Sequence, residues 1–117
     1  MIKFCDRPVI ERKNTVHSIF KKYPDRIPVY VKKGNDNTPD IDKDRYLVPS
    51  DLTVGQFLYV IRKRIKLKPE QALYIFFNDQ LVNTSTLVKE VYDTYKNKDD
   101  EMLYAVYSTE NTFGFTA

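Results

Sequence analysis

One capped helix near the middle of the chain constrains the fold more than any other segment. The Thr53 hydroxyl can accept the main-chain N–H of Gln56, whose side chain can reach back, and this is the pattern of a capping box. Leu52 and Phe57 stand where a hydrophobic staple needs them. An apolar stripe at helical spacing follows, with cations in the last turns, where they favour the helix dipole. The pattern predicts a helix over 54–65.

The segments on either side of this helix predict an α+β fold. Alternating or continuous apolar runs predict four strands, at 27–31, 45–49, 73–77 and 102–107. Helical spacing predicts two more helices, at 9–23 and 86–95, and Asn78-Asp79 predicts a turn. Two strands, a capped helix and two further strands suggest a four-stranded sheet with one main helix across it, the β-grasp arrangement. The leading helix is then an addition to that unit.

Length and composition exclude several classes of function. A chain of 117 residues is one ordinary domain, and its single cysteine allows no intramolecular disulfide, which fits a reducing compartment. One cysteine and one histidine exclude a zinc site of the usual type, so no metal is expected. Three scattered glycines exclude the common phosphate-binding loops. We find neither the apolar core of a signal peptide nor a run long enough to span a membrane.

The candidate catalytic groups are better interpreted as ordinary, non-catalytic residues. Cys5 and His17 could form a thiol–imidazole pair, but a stray thiol near a terminus and a solvated imidazole fit the surrounding residues better. Two carboxylate pairs stand in predicted loops, where solvated turns are the default: Asp40 with Asp42, and Asp99 with Asp100. We therefore predict no catalytic residues and no enzymatic activity.

The basic residues leave two kinds of partner open. Nineteen basic and 16 acidic residues give a net charge of +3, which is too small to imply nucleic acid. Three basic clusters, at 21–22, 32–33 and 62–64, interleave with tyrosines, as in RNA-contacting surfaces. A solvated helix face balanced by acids is the favoured interpretation, so no nucleic acid is expected. A weak patch for an acidic partner or an anionic lipid surface is the intermediate alternative.

The predicted strand at 45–49 has the features of an exposed sheet edge. It is short, follows a loop of turn-forming residues at 34–40, and has Lys43 and Arg45 at its start. An extended peptide can add to such an edge, with pockets on each side taking alternate side chains. The alternative is that the edge cations only prevent aggregation.

Several ordered motifs resemble the GABARAP and autophagy-related protein 8 family. The longest are KYPDRIPV at 22–29 and YLVPSDLTVGQF at 46–57, which continues to IRKR at 61–64. Shorter matches follow in the expected order, at 72–73, 77–78, 103–104 and 107–108. Phe113 and Gly114 stand where the family keeps an aromatic–glycine pair. The resemblance covers about residues 19 to 114, and motifs of this length are highly specific.

The resemblance implies a ubiquitin-like β-grasp core preceded by two N-terminal helices. It divides the chain into a helical extension at 1–23 packed on the core, the core at 24–112, and a flexible tail at 113–117. In this family a cysteine protease cuts after the glycine, here the Gly114–Phe115 bond. Activating and conjugating enzymes then carry the glycine carboxylate as thioesters and join it to phosphatidylethanolamine. No other cofactor is expected.

The resemblance also implies two pockets that dock short aromatic-x-x-aliphatic peptides beside the second strand. By matching positions, the aromatic pocket is formed by Ile19, Pro28, Lys43, Arg45, Leu47 and Met102. The aliphatic pocket is formed by Tyr46, Val48, Pro49, Leu52, Phe57, Val60 and Arg64. Met102 departs from the family, which usually has phenylalanine there, and the softer methionine side chain predicts a wider ligand tolerance.

The function implied by the resemblance is that of a lipid-conjugated modifier and adaptor in autophagy. Its expected location is the cytoplasm, and after lipidation the surface of autophagosomes or other intracellular vesicles. Its expected partners are the processing protease, the activating and conjugating enzymes, receptors and cargo adaptors with the short motif, and the membrane; tubulin is a further possibility. The alternative is an unconjugated β-grasp adaptor that binds cargo, trafficking or cytoskeletal partners through the same pockets.

Overall fold

Within residues 4–110, three α-helices and a five-stranded mixed sheet make up the fold. The computed structural model describes residues 4–110, and for Cys5 the main chain alone; Phe113 and Gly114 lie outside the described residues. A 3₁₀ turn at Phe4–Asp6 comes first. The elements that follow are α1 (Val9–Lys22), β1 (Arg26–Lys33), β2 (Arg45–Pro49), α2 (Val54–Arg64), β3 (Tyr74–Phe77), β4 (Gln80–Leu81), α3 (Val88–Tyr95) and β5 (Leu103–Ser108).

The sheet has the strand order β2-β1-β5-β3-β4. The β1–β5 pair is parallel and the other pairs are antiparallel, so the α+β grasp arrangement is confirmed. The expectation of four strands was wrong, because β4 adds a fifth. Asn78 and Asp79 form the turn that joins β3 to β4, with φ of 51° and 63°. Two residues are too few to show an alternating pattern, which is why β4 left no signal in the sequence.

The sheet buries side chains on both of its faces. On one face, alternate β1 residues pack with the apolar stripe of α2, and the main core includes Ile27, Val29, Phe57 and Ile61. On the other face, a smaller cluster contains Phe4, Val16, Tyr30 and Met102. The main core therefore lies under α2, and the smaller cluster lies under α1 and the first 3₁₀ turn.

The predicted capping box starts α2. The Thr53 hydroxyl oxygen accepts the N–H of Gln56 at 3.1 Å, and the Gln56 side-chain oxygen accepts the N–H of Thr53 at 2.9 Å. At the other end, the Arg62 guanidinium donates to the main-chain oxygens of Lys68 and Gln71, at 3.2 and 2.8 Å. The capping box thus satisfies main-chain N–H groups at the start of α2, whereas Arg62 fastens the loop that follows the helix to its last turn.

One expectation about the acidic residues was wrong. Asp40 and Asp42 are exposed, as predicted, but Asp100 is completely buried rather than solvated. Its carboxylate accepts the N–H of Met102 at 2.8 Å and the hydroxyl of Tyr104. The packing of α1 against the segment just before β5 excludes water from Asp100. No local sequence pattern indicates this contact.

Candidate functional site

The strand β2 forms an edge of the sheet that residues 4–110 build. Its partner β1 pairs Val48 with Ile27 and Leu47 with Pro28. The N–H of Val31 donates to the oxygen of Asp44 at 2.7 Å. Because hydrogen-bonded pairs alternate along an antiparallel ladder, the main-chain groups of Leu47, like those of its neighbours two residues away, point to the open edge. Such an edge can accept another strand.

A cavity of about 720 Å³ opens beside this edge, between β2 and α1. All six residues expected in the aromatic pocket line it: Ile19, Pro28, Lys43, Arg45, Leu47 and Met102. They come from four separate parts of the chain, which the packing of α1 on the sheet brings together. Their role in binding a ligand stays a prediction.

The apolar part of the cavity has a firm base and a more open wall. Pro28 and Met102 are buried, and Met102 is only 1% exposed. Behind it, Met102 packs in the smaller cluster with Phe4 and Tyr30. Leu47 is 38% exposed at the rim, and Ile19 is half-buried. A flat apolar side chain could therefore enter against a base that the fold holds in place.

The rim carries charges of both signs: the cations Lys43 and Arg45 were expected there, and the acids Asp42 and Asp44 were not. Asp42 and Asp44 line the cavity together with Lys43 and Arg45. The Lys43 ammonium lies 5.3 Å from the centre of the Tyr46 ring, and the Arg45 guanidinium lies 5.4 Å from that of Phe4. The alternation of acid and base is visible in the sequence, but its place on the cavity rim is not. Thr15, Arg26 and Val29 also line the cavity and were missed.

The residues expected in the aliphatic pocket lie on the other face of β2, towards α2. Val48 and Phe57 are buried there as part of the main core. The Tyr46 ring meets the Phe57 ring edge-on, with centroids 5.7 Å apart. Val60 is 37% exposed. The remaining three are partly or fully exposed: Pro49, Leu52 and Arg64. These residues form a partly exposed apolar surface over the main core, and its role in binding also stays a prediction.

An ion pair joins the two surfaces. The Arg64 Nε lies 3.2 Å from Asp42 Oδ1, and the guanidinium lies 5.7 Å from the centre of the Tyr46 ring. The Tyr46 hydroxyl oxygen is fully covered and lies near the Arg64 guanidinium, without a hydrogen bond of good geometry to any described residue. Burial raises the pKa of Tyr46, and the nearby Arg64 charge opposes that rise.

The thiol–imidazole pair considered from the sequence gains no support. The His17 side chain is 54% exposed, and its Nε2 lies 3.3 Å from the Glu101 carboxylate. The hydrogen bond to His17 and the nearby Lys13 lower the pKa of Glu101. The Cys5 side chain lies outside what the structure describes. Among the described residues, no group of three or more histidine, cysteine, aspartate or glutamate side chains could hold a metal ion.

None of the helices within residues 4–110 has the length and apolar character needed to cross a bilayer.

Comparisons with known proteins give a consistent result. The family model described as "Autophagy protein Atg8 ubiquitin like" matches residues 11–114. Autophagy-related protein 8a of Arabidopsis thaliana is 52% identical over 108 residues, which cover 92% of this chain and 88% of the plant protein. Autophagy-related protein 8 of Mycosarcoma maydis is 54% identical over 105 residues, covering 89% and 88%. The crystal structure of Trypanosoma brucei ATG8 superposes with a TM-score of 0.82 at 36% identity, covering 89% of this chain and 90% of that one.

Proposed function

The chain belongs to the Atg8 family of ubiquitin-like autophagy proteins, and from this premise we propose that it is a lipid-anchored docking platform. The observation that carries the docking half of the proposal is the cavity of about 720 Å³ beside the open edge of β2. In this proposal the protein is not an enzyme. It is a substrate of enzymes and a binding site for peptides.

The ligand we propose is a short peptide with an aromatic residue, two spacers and an aliphatic residue. Side chains three residues apart in an extended strand point to opposite faces. The two surfaces also lie on opposite faces of β2, with Leu47 in the cavity and Val48 in the opposite core. A peptide strand paired with the open edge would place its aromatic ring against Met102 and its aliphatic side chain against the Tyr46 surface. Main-chain hydrogen bonds would supply affinity, and the two surfaces would supply selectivity.

The anchoring half of the proposal concerns Gly114, which lies outside the described residues. We propose that a cysteine protease cuts the Gly114–Phe115 bond, and that activating and conjugating enzymes transfer Gly114 to phosphatidylethanolamine. The match to the family model extends to residue 114, which supports this choice. Three residues separate Glu110 from that glycine, so the four steps of chain between them span at most about 14 Å. A glycine suits a narrow active site because it has no side chain and adopts any φ.

The docking half is tested by titrating a synthetic peptide with a Trp-x-x-Leu core against the purified full chain. Leu47→Glu places a charge at the cavity rim and should lower the affinity at least tenfold. Leu81→Glu is the matched control, because Leu81 is 49% exposed at the opposite edge of the sheet and should leave binding unchanged. Equal effects of the two variants, or no binding by the wild type, would contradict the docking proposal.

The anchoring half is tested by intact mass measurement of the protein recovered from its own cells. We expect a soluble form ending at Gly114 and a membrane form heavier by one phospholipid. Gly114→Ala should remove the membrane form while leaving peptide binding intact. A single soluble species that keeps residues 115–117 under autophagy-inducing conditions would favour the unconjugated adaptor instead.

A further inference from the structure

The loop at 34–40 packs against β5, the last strand that the structure describes. The Gly34 N–H donates to the main-chain oxygen of Tyr107 at 2.8 Å, and the Tyr107 hydroxyl donates to that of Pro39 at 2.7 Å. A Cβ atom at Gly34 would lie only 2.9 Å from Val106 Cγ1, so glycine allows this close approach. The loop is therefore held against β5 at both of its ends.

Two side chains of this loop bond to the three residues at the end of the described chain. The Thr38 hydroxyl oxygen accepts the N–H of Thr109 at 3.1 Å, and the same hydroxyl donates to Asn35 Oδ1. That Asn35 oxygen also accepts the hydroxyl of Ser108 at 3.2 Å, and the Asn35 amide nitrogen donates to the Glu110 carboxylate. We call Asn35 and Thr38 the clamp, because together they bond to all of residues 108–110.

The bonds of the clamp do two different things. Thr38 is 2% exposed and Ser108 is 4% exposed, and polar groups this well buried nearly always need a hydrogen-bond partner. Glu110 is exposed, so water can solvate its carboxylate without help from Asn35. The bond from Asn35 to Glu110 therefore restricts the position of the chain and does not satisfy a buried group.

We propose that the clamp positions the Gly114–Phe115 bond for the protease that hydrolyses it. The inference rests on the anchoring half of the proposed function. Water adds across this peptide bond, which leaves a carboxylate on Gly114 and releases residues 115–117 with a free amine. The four steps of chain from Glu110 to Gly114 span at most about 14 Å, so the place where Glu110 is held limits where the bond can go. Ordering a chain costs conformational entropy, and the clamp has met that cost at 108–110 before the protease binds.

The test is the kinetics of this hydrolysis on the full chain, followed by intact mass, with the cysteine protease that cuts the wild type isolated from the protein's own cells. Thr38→Val removes the hydroxyl and keeps the size of the side chain. It should raise KM about fivefold, the factor that one hydrogen bond of ordinary strength allows. The kcat should stay within about twofold, because the bound chain is the same once it is ordered. Thr38→Ser keeps the hydroxyl and should return KM to within about twofold of the wild type.

Hydrogen exchange at the Thr109 amide measures the clamp directly, because that N–H donates to Thr38. It should be about fivefold faster in Thr38→Val than in the wild type. Asn35→Asp is a second variant at a half-buried position, where it sets a carboxylate against that of Glu110 and should raise KM in the same way. Asn37→Ala is the matched control, since Asn37 is exposed in the same loop and its side chain makes no hydrogen bond found within 4–110. A thermal unfolding curve of each variant checks that the fold is kept.

The possible outcomes separate this inference from the proposed function. Faster exchange at Thr109 with an unchanged KM overturns the positioning role alone, as does an equal rise of KM in Asn37→Ala. Unchanged exchange in both Thr38→Val and Asn35→Asp overturns the clamp itself. If the cells contain no activity that cuts the wild type after Gly114, the anchoring function fails and this inference fails with it. A higher KM in Thr38→Val and Asn35→Asp, with recovery in Thr38→Ser, supports the proposal.

Discussion

The Arg12 guanidinium and the Asp100 carboxylate form an ion pair, 3.0 Å from Nε to Oδ2, in which the carboxylate is completely buried. The pair connects α1 to the segment just before β5. The same carboxylate accepts the N–H of Met102, whose side chain forms the base of the cavity. The buried Asp100 carboxylate therefore positions both α1, which forms one wall of the cavity, and Met102, which forms its base.

Removal of the Arg12 charge should be costly. Arg12→Met leaves the Asp100 carboxylate buried without its countercharge, and breaking such a pair costs about 3 kcal/mol of unfolding free energy. Urea unfolding of the purified variant measures this cost. Adding Asp100→Asn to Arg12→Met should recover part of the loss, because the double variant buries no unpaired charge.

Lys13→Met provides the comparison for that experiment. Its ammonium lies 3.8 Å from the Glu101 carboxylate, and both side chains are partly exposed. Ion pairs of this kind contribute at most about 1 kcal/mol. If Lys13→Met and Arg12→Met lower the unfolding free energy equally, the buried Arg12–Asp100 pair contributes no more to stability than the partly exposed Lys13–Glu101 pair.

Three tyrosine-to-phenylalanine substitutions should differ in their effect on the unfolding free energy, according to the hydrogen bond that each hydroxyl makes. The Tyr92 hydroxyl donates to the main-chain oxygen of Glu101 at 2.5 Å, and the Tyr107 hydroxyl donates to the main-chain oxygen of Pro39 at 2.7 Å. Phenylalanine at either position should cost about 1 kcal/mol, because each loses a made bond. Tyr46→Phe removes a hydroxyl that has no partner among the described residues, and should leave the unfolding free energy unchanged or raised. A loss of stability in Tyr46→Phe equal to the other two would contradict the structure at this residue.

Two of these tyrosines should make stability fall at alkaline pH. Burial raises the pKa of Tyr92 and of Tyr107 from 10.0 to about 12. The folded protein thus holds these protons more tightly than the unfolded chain does. Their contribution to stability is complete below pH 10 and is lost as the pH rises from about 10 to about 12.

Phenolate absorbance, followed together with unfolding free energy, measures this effect. Tyr92 and Tyr107 should ionise late in the folded protein, and replacing both by phenylalanine should flatten the fall of the unfolding free energy at alkaline pH. A folded protein in which every tyrosine ionises near pH 10 would show that burial does not raise the pKa of Tyr92 and Tyr107.

The Thr53 cap of α2 should make a measurable contribution to the unfolding free energy. Thr53→Ala removes the hydroxyl that accepts the Gln56 N–H at 3.1 Å, and losses of this kind cost about 1 kcal/mol. Thr53→Ser keeps the hydroxyl and should recover most of that stability. Chemical unfolding of both variants tests the point, and equal losses in alanine and serine would mean that the methyl group matters rather than the hydrogen bond.

Met102 should determine how tolerant the cavity is. Its unbranched thioether adapts to rings of different size, so peptides with tryptophan, tyrosine or phenylalanine should bind within about tenfold of one another. Met102→Phe makes the base stiffer and larger, and should widen the spread among the three peptides. Titration of the same three peptides against both proteins decides it; an unchanged spread would exclude Met102 as a source of tolerance.

Local patterns predicted most of the secondary structure and failed where an element was short or a contact was distant. The α2 helix was predictable because its cap, staple and apolar stripe all lie within a dozen residues. The two-residue strand β4 was not, since its pairing with Phe76 and Phe77 is what makes it a strand. The local pattern predicts a solvated turn at Asp100, because its ion-pair partner Arg12 belongs to α1, far away in the chain.

The candidate site divides in the same way. The charged and apolar residues around β2, and its likeness to an exposed edge, are properties of one stretch of sequence. The local order of these residues determines that the segment is a strand, that it resembles a sheet edge and that its side chains alternate between two faces. These features depend on neighbouring residues and on a two-residue period. The tertiary structure alone decided that Ile19 and Met102 would line one cavity beside that strand, and that Arg64 would pair with Asp42. Such contacts depend on how α1 and α2 pack on the two faces of the sheet, and packing joins residues that no local pattern relates.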